Sequence, residues 1–218
     1  MIDALKICGL STPESVDAAV QGGATHLGFI FFAKSPRNVS AQQAAPLAAR
    51  AQSAKTVAVS VDADDAFMED IVTTMKPDML QLHGSETPQQ IADLRSKYQL
   101  PVIKALSIRD SADLDKIATY ADCVDMLLLD AKPPAGSDLP GGNGVSFDWS
   151  ILNDLHGNIP ILLSGGIDIS NIDEAVTIVR DTGNGVTGLD LSSGVESAPG
   201  VKDIAKIDAI LARAFSAP

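Results

Sequence analysis

Eight short runs rich in Val, Ile and Leu recur along this 218-residue chain, and their spacing limits the folds open to it. They begin at Ala4 (ALKICG), His26 (HLGFIFF), Lys55 (KTVAVSV) and Met79 (MLQLH). They continue at Pro101 (PVIKALSI), Met126 (MLLLDA), Pro160 (PILLSGG) and Gly185 (GVTGLDLSS). Successive starts lie about 26 residues apart, a period of supersecondary length. Near-continuous apolar runs, rather than clean alternation, suit parallel strands covered on both faces.

The segments between the runs carry helix signals. STPESVDAAVQGG, from Ser11, has a hydroxyl cap, a proline in the first turn and two glycines after its end. SETPQQIADLRSKY, RDSADLDKIATYA and DISNIDEAVTIVRD repeat an acidic or hydroxylated start with a basic finish. The tail predicts a last helix with Val201, Ile204, Ile207, Ile210 and Leu211 on one stripe. Eight βα units without a linker predict one domain over residues 1–218, a closed (β/α)8 TIM barrel. A doubly wound open sheet is the structural rival. Trp149, in FDW, is expected to pack at the start of the sixth helix.

Composition narrows the function classes. A net charge of −12 argues against nucleic acid, which requires a basic stripe. Two cysteines give no disulfide framework and point to a reducing cytoplasm. The first ten residues, MIDALKICGL, do not read as a signal peptide. No apolar run reaches the roughly 18 residues of a spanning helix, so no membrane partner is expected. The three histidines lack metal-site spacing, and neither metal nor cofactor is expected. A monomer is favoured over a homodimer, although barrel faces carry exposed apolar residues in either state.

In a (β/α)8 barrel the chemistry sits where the strands end. Those ends hold Lys6 and Cys8 on the first strand, Arg37 after the second and His83 at the fourth. Lys104 lies in the fifth strand, Asp130 and Lys132 follow the sixth, and Ser164, Gly165 and Gly166 follow the seventh. Asp190, Ser192, Ser193 and Gly194 end the eighth. Alternation puts Lys6 and Cys8 on one face, and likewise Asp190 and Ser192. The adjacent loops LLSGGI and LDLSSGVES expose backbone N–H groups and predict a phosphate site. GGNG, residues 141–144, sits in the long loop after the sixth strand, placed to close over a ligand.

The motifs KICG, GFIFFAKSPRNVS, QLHG, LLLDAK, GGNGVSFDW, LLSGGI and LDLSSGVES occur in order over residues 6 to 196. In them the chain resembles the phosphoribosylanthranilate isomerases of tryptophan biosynthesis. Asn143 stands where that family usually has Thr. The resemblance implies an Amadori rearrangement of a small phosphorylated substrate, N-(5-phosphoribosyl)anthranilate, to its 1-deoxyribulose 5-phosphate derivative. It implies Asp130 as the general acid that opens the furanose and Cys8 as the general base at C2. It implies Arg37 as the holder of the anthranilate carboxylate. Phosphate would rest on Gly165, Gly166, Asp190, Ser192, Ser193 and Gly194, and His83, Gly142 and Gly144 complete the expected binding set.

On physical grounds a thiol of pKa near about 8.5 needs a modest depression to act as a base, and Lys6 is the expected source. Asp130 must donate a proton at neutral pH, which calls for burial or a carboxylate neighbour. Three alternatives stand beside this reading. One is a Schiff-base aldolase using Lys104 or Lys6. Another is an isomerase of the histidine-pathway aminoaldose, and the third is a phosphate-binding barrel without catalysis.

Overall fold

Strand order in the computed structural model runs β1 to β8 around a closed, all-parallel barrel. The structure describes residues 2–132, 136, 141–142, 144, 146–155, 157, 159–180 and 185–216. All eight expected runs are strands: β1 Ala4–Cys8, β2 His26–Phe31, β3 Lys55–Ser60, β4 Met79–Leu82. The rest are β5 Val102–Ile108, β6 Met126–Ala131, β7 Ile161–Leu163 and β8 Val186–Leu191. The ring closes where β8 pairs with β1 and Lys6 lies opposite Asp190.

Alternation along the strands sorts the apolar residues into two clusters. Leu5, Ile7, Leu27 and Phe29 pack outward with helix residues such as Val16 and Ala19. Ala4, Cys8, Val57, Val59, Met79, Ile103, Ala105, Leu128 and Leu162 form the smaller inner cluster. The outer ring consists of α1 Pro13–Gln21, α2 Ala41–Ala48, α3 Asp65–Met75, α4 Pro88–Tyr98, α5 Lys116–Tyr120, α6 Ile172–Arg180 and α7 Ile204–Ser216. Capping boxes start α1 at Thr12, α2 at Ser40 and α4 at Thr87, and each satisfies two otherwise orphaned donors.

Three expectations change. The segment after β6 forms a 3₁₀ helix, Trp149–Asp154, rather than an α-helix, although Trp149 is buried within it. The expected fifth helix is split into a 3₁₀ turn, Ser111–Asp115, and the five-residue α5. Asp110 accepts from Ala112 N and Asp113 from Arg109 N, local bonds that compete with helical ones. The stripe on the last helix is shorter than its sequence pattern. Val201 falls in a hairpin of β9 (Glu196–Ala198) and β10 (Val201–Lys202), turning at Gly200 with φ +83°. Val201 is 55% and Ile204 38% exposed, while Ile207, Ile210 and Leu211 are buried. Asn143, together with Pro133, Pro134 and the rest of 137–140, lies outside the described residues.

His26 sits opposite Lys6 on β2, its Nδ1 2.8 Å from the Thr25 hydroxyl. Burial, reinforced by the Lys6 charge, lowers its pKa to about 4. The unfolded chain therefore binds the extra proton between about pH 6.5 and 4, and stability falls with acidification across that window. Replacing His26 with Gln should remove about 2–3 kcal/mol of that acid sensitivity, read from urea midpoints at pH 7 and pH 4.5.

Candidate active site

The C-terminal ends of the strands open into one cleft with about 740 Å³ of space, part of it open to solvent. Cys8, Arg37, His83, Asp130, Gly142, Gly144, Gly165, Gly166, Asp190, Ser192 and Ser193 all line it. Gly194 lies behind this wall, where a Cβ would collide with the Ile167 carbonyl. The glycine therefore lets the loops after β7 and β8 pack together. Gly165 and Gly166 have φ of +92° and +65°, a backbone state that suits glycine. Gly144 approaches the Ser193 hydroxyl, and Gly142 the Arg37 guanidinium.

Cys8 is buried at the end of β1, above a fully buried Lys6. Lys6 Nζ donates to Asp190 Oδ1 at 2.7 Å, and Asp190 Oδ2 accepts from the Ser164 hydroxyl at 3.2 Å. Both carboxylate oxygens of Asp190 thus face protein donors. Opposite Cys8 on β2 stands Gly28, and a Cβ there would lie 2.9 Å from Cys8 Sγ and 3.1 Å from Lys6 Nζ. The missing side chain leaves room for thiol and ammonium together. Burial would lower the Lys6 pKa, yet Asp190 and Cys8 outweigh it and raise it. The thiol moves the other way from expectation. Burial pushes the Cys8 pKa up, and Lys6 recovers part of the shift without reversing it.

Arg37 is 4% exposed and held in a fork. Its Nε donates to Glu196 Oε1 at 2.7 Å and its Nη2 to Glu196 Oε2 at 2.8 Å, a bidentate pair. Lys202 Nζ donates to Glu196 Oε1 at 2.9 Å and to the Ser192 carbonyl at 2.8 Å. Burial raises the Glu196 pKa, but Arg37 and Lys202 hold it below the usual carboxylate value. The Ser192 hydroxyl in turn donates to the Cys8 carbonyl at 3.1 Å. One polar chain therefore joins Arg37 to the loop after β8 and to β1.

Asp130 is buried at the end of β6, three strands from Cys8 around the ring. His83 Nε2 lies 3.4 Å from its Oδ2. Lys104 stays out of the cleft. Its ammonium donates to the Leu82 and Gly84 carbonyls and to Glu86 Oε2, at 3.2, 2.7 and 3.0 Å. Three acceptors occupy its three protons, which disfavours the Schiff-base reading. Lys132 is exposed at the strand end. Among the described residues, no three His, Cys, Asp or Glu side chains converge as a metal site.

A family model described as N-(5'-phosphoribosyl)anthranilate isomerase matches residues 5–213. The chain belongs to that family. It is 56% identical over 206 residues to the N-(5'-phosphoribosyl)anthranilate isomerase of Agrobacterium fabrum, covering 94% of this chain and 91% of the relative. The crystal structure of the Thermus thermophilus phosphoribosyl anthranilate isomerase superposes with a TM-score of 0.82 at 30% identity, covering 98% of each chain. A second isomerase structure, in complex with reduced 1-(o-carboxyphenylamino)-1-deoxyribulose 5-phosphate, gives 0.81 at 27% identity over 99% of each chain.

Family membership leaves three residues that the sequence did not single out, one lining the cleft and two bracing it from behind. Gln81 sits inside QLHG and points the same way as His83, two residues on. Alternation alone would have found it. Glu196 lies within a recognised motif but looks like a surface acid, and Lys202 carries no sequence signal at all. Lys6→Met should drive the Cys8 pKa still higher, read as slower alkylation of Cys8 at fixed pH. An unchanged alkylation profile would remove Lys6 from any role at the thiol.

Proposed function

We propose that this protein isomerises N-(5-phosphoribosyl)anthranilate to 1-(2-carboxyphenylamino)-1-deoxyribulose 5-phosphate in tryptophan biosynthesis. The observation that carries the reading is the meeting of Cys8, Asp130, Arg37 and the paired Gly/Ser loops on one cleft. The anthranilate carboxylate docks on Nη1 of Arg37, since Glu196 holds Nε and Nη2 and the Gly142 carbonyl also accepts from Nη2. Phosphate is received by the loops after β7 and β8, through Gly165, Gly166, Ser192 and Ser193, with Gly194 packing the two loops together behind them. Asp190 supports that wall from beneath, since a carboxylate facing the dianion would repel it.

With its ends fixed, the sugar spans the space between Cys8 and Asp130. Asp130 delivers its proton to the ring oxygen, the C1–O bond breaks, and the nitrogen lone pair forms the iminium. The Cys8 thiolate takes the C2 proton, and that electron pair becomes the C1=C2 bond of an enolamine. Transfer of the hydroxyl proton off O2 and protonation of C1 complete the ketone. Lys6 favours the thiolate, while burial limits how much of it exists at neutral pH.

All residues named come from one chain, and we propose residues 1–218 as a single catalytic domain working as a monomer. No helix among the described residues is long and apolar enough to cross a membrane. A cytoplasmic setting accords with the reduced thiol chemistry proposed for Cys8.

The test is phosphoribosylanthranilate turnover followed by fluorescence. Cys8→Ala and Asp130→Asn should each lower kcat by about 10²–10⁴-fold with the fold intact by circular dichroism. Arg37→Met should act mainly on KM. Because burial raises the thiol pKa, kcat/KM should climb with pH beyond neutrality. Normal turnover by Cys8→Ala would place the base elsewhere.

A further inference from the structure

Among the described residues, four buried cations stand around the cleft, and three carboxylates pair with them. Lys6 is matched by Asp190 at 2.7 Å and Lys104 by Glu86 at 3.0 Å. Glu196 alone serves both Arg37, at 2.7 Å, and Lys202, at 2.9 Å. Asp130 is the remaining buried carboxylate of the cleft, and as the general acid of the proposed reaction it starts with its proton on. One buried positive charge is therefore left over, in the group of Arg37, Glu196 and Lys202. Lys34 and Lys132 are exposed, where water and salt screen their charge.

Resting on the isomerase reading, we infer that Lys202 supplies the uncompensated charge felt by both anions of the substrate, its carboxylate and its phosphate. The position of the ammonium serves both ends. Nζ donates to Glu196 Oε1, on the carboxylate that grips Arg37 Nε and Nη2. It donates also to the Ser192 carbonyl at 2.8 Å, and Ser192 lines the cleft where the phosphate is received. The side chain is 2% exposed, so no water screens it.

The other groups of the wall cannot supply this charge. Arg37 is the single Lys or Arg among the described residues lining the cleft, and its bidentate partner Glu196 makes the pair neutral. Without Lys202 the carboxylate would meet well-placed donors with no net charge behind them. The phosphate would meet only N–H and O–H dipoles. The free protein also leaves this ammonium under-compensated: burial lowers its pKa, and Glu196 recovers only part of the shift. A bound anion makes good the difference, and the benefit is reciprocal between ligand and ammonium. Lys202 touches neither anion; it is a positioning residue that acts through Arg37 and Ser192.

The test is calorimetric binding of reduced 1-(o-carboxyphenylamino)-1-deoxyribulose 5-phosphate, of its dephosphorylated form and of its carboxamide. Binding is read rather than turnover, because the same charge favours the Cys8 thiolate. Lys202→Gln keeps N–H donors and loses the charge, and should weaken the full analogue by at least about tenfold. The loss should shrink when either anion is removed from the ligand. Lys202→Arg, which keeps the charge, should bind the full analogue within about threefold of wild type. Unchanged binding by Lys202→Gln, equal loss with all three ligands, or loss tied to one anion alone would overturn the proposal.

A second measurement needs no replacement of Lys202. Its ε-carbon is followed by NMR through an alkaline titration in Cys8→Ala, so that the neighbouring thiol does not enter. Glu196 and Arg37, the other charged groups facing Lys202, keep their charge throughout that range. The midpoint should rise with either single-anion ligand and furthest with the full analogue. An unmoved midpoint overturns the role of Lys202 while leaving the isomerase intact. Failure of the wild-type protein to bind the full analogue would instead defeat the isomerase reading itself.

Discussion

A buried ion pair closes this barrel. Lys6 and Asp190 face each other across the seam where the eighth strand meets the first, at 2.7 Å and almost without solvent. Desolvating two charges is costly, and such a pair is tolerated only when geometry and further hydrogen bonds compensate. Here the Ser164 hydroxyl completes the carboxylate, and the Cys8 thiol lies within reach of the ammonium. A hydrophobic pair at this seam would close the ring as well. It would leave Cys8 in an apolar interior with no cation to set against its burial.

The rest of the site repeats that logic with different partners. Glu196 holds Arg37 from behind and is itself held by Lys202, so the guanidinium is oriented before any ligand arrives. Preorganisation of this kind lowers the ordering cost of binding an anion. It also explains how a protein with a net charge of −12 can take a substrate with two anionic groups, a phosphate and a carboxylate. Local cations, buried and fixed, act at short range in a low-dielectric setting, where the diffuse surface charge counts for little. Lys104 and Glu86 do the same for the turn after β4: Lys104 donates to the carbonyls of Leu82 and Gly84 on either side of His83, and Glu86 accepts from the Gly84 N–H.

The strands were legible because a parallel barrel buries both faces, and that constraint writes itself as apolar runs such as MLLLDA. The cleft walls were legible for a related reason. Strand ends are rigid and few, so a Cys, an Asp and two Gly/Ser loops at those ends have few other places to be. The direction of the thiol shift was not legible. It depends on how burial weighs against a neighbouring cation, and both enter only when β1, β2 and β8 are assembled. Val201 misled for a similar reason. Its helical spacing is real, but the hairpin turn at Gly200 ends the register before α7 begins. Gln81 was hidden by the opposite circumstance, being a neutral amide with no charge or nucleophile to mark it, although it lines the cleft.

The seam has a consequence for how the protein comes into being. The contact between Lys6 and Asp190 spans 184 positions, and that between Ser192 and the Cys8 carbonyl spans the same. A chain emerging from the ribosome amino end first exposes Lys6 and Cys8 almost immediately, yet Asp190, the counter-charge of Lys6, arrives nearly last. Until β8 is made, burying Lys6 would mean burying an unmatched ammonium. The first strand gains its matched partner only when β8 is present, so closure of the ring is a long-range event. Competence for chemistry is acquired at the end of synthesis, in the same event that makes the ring complete.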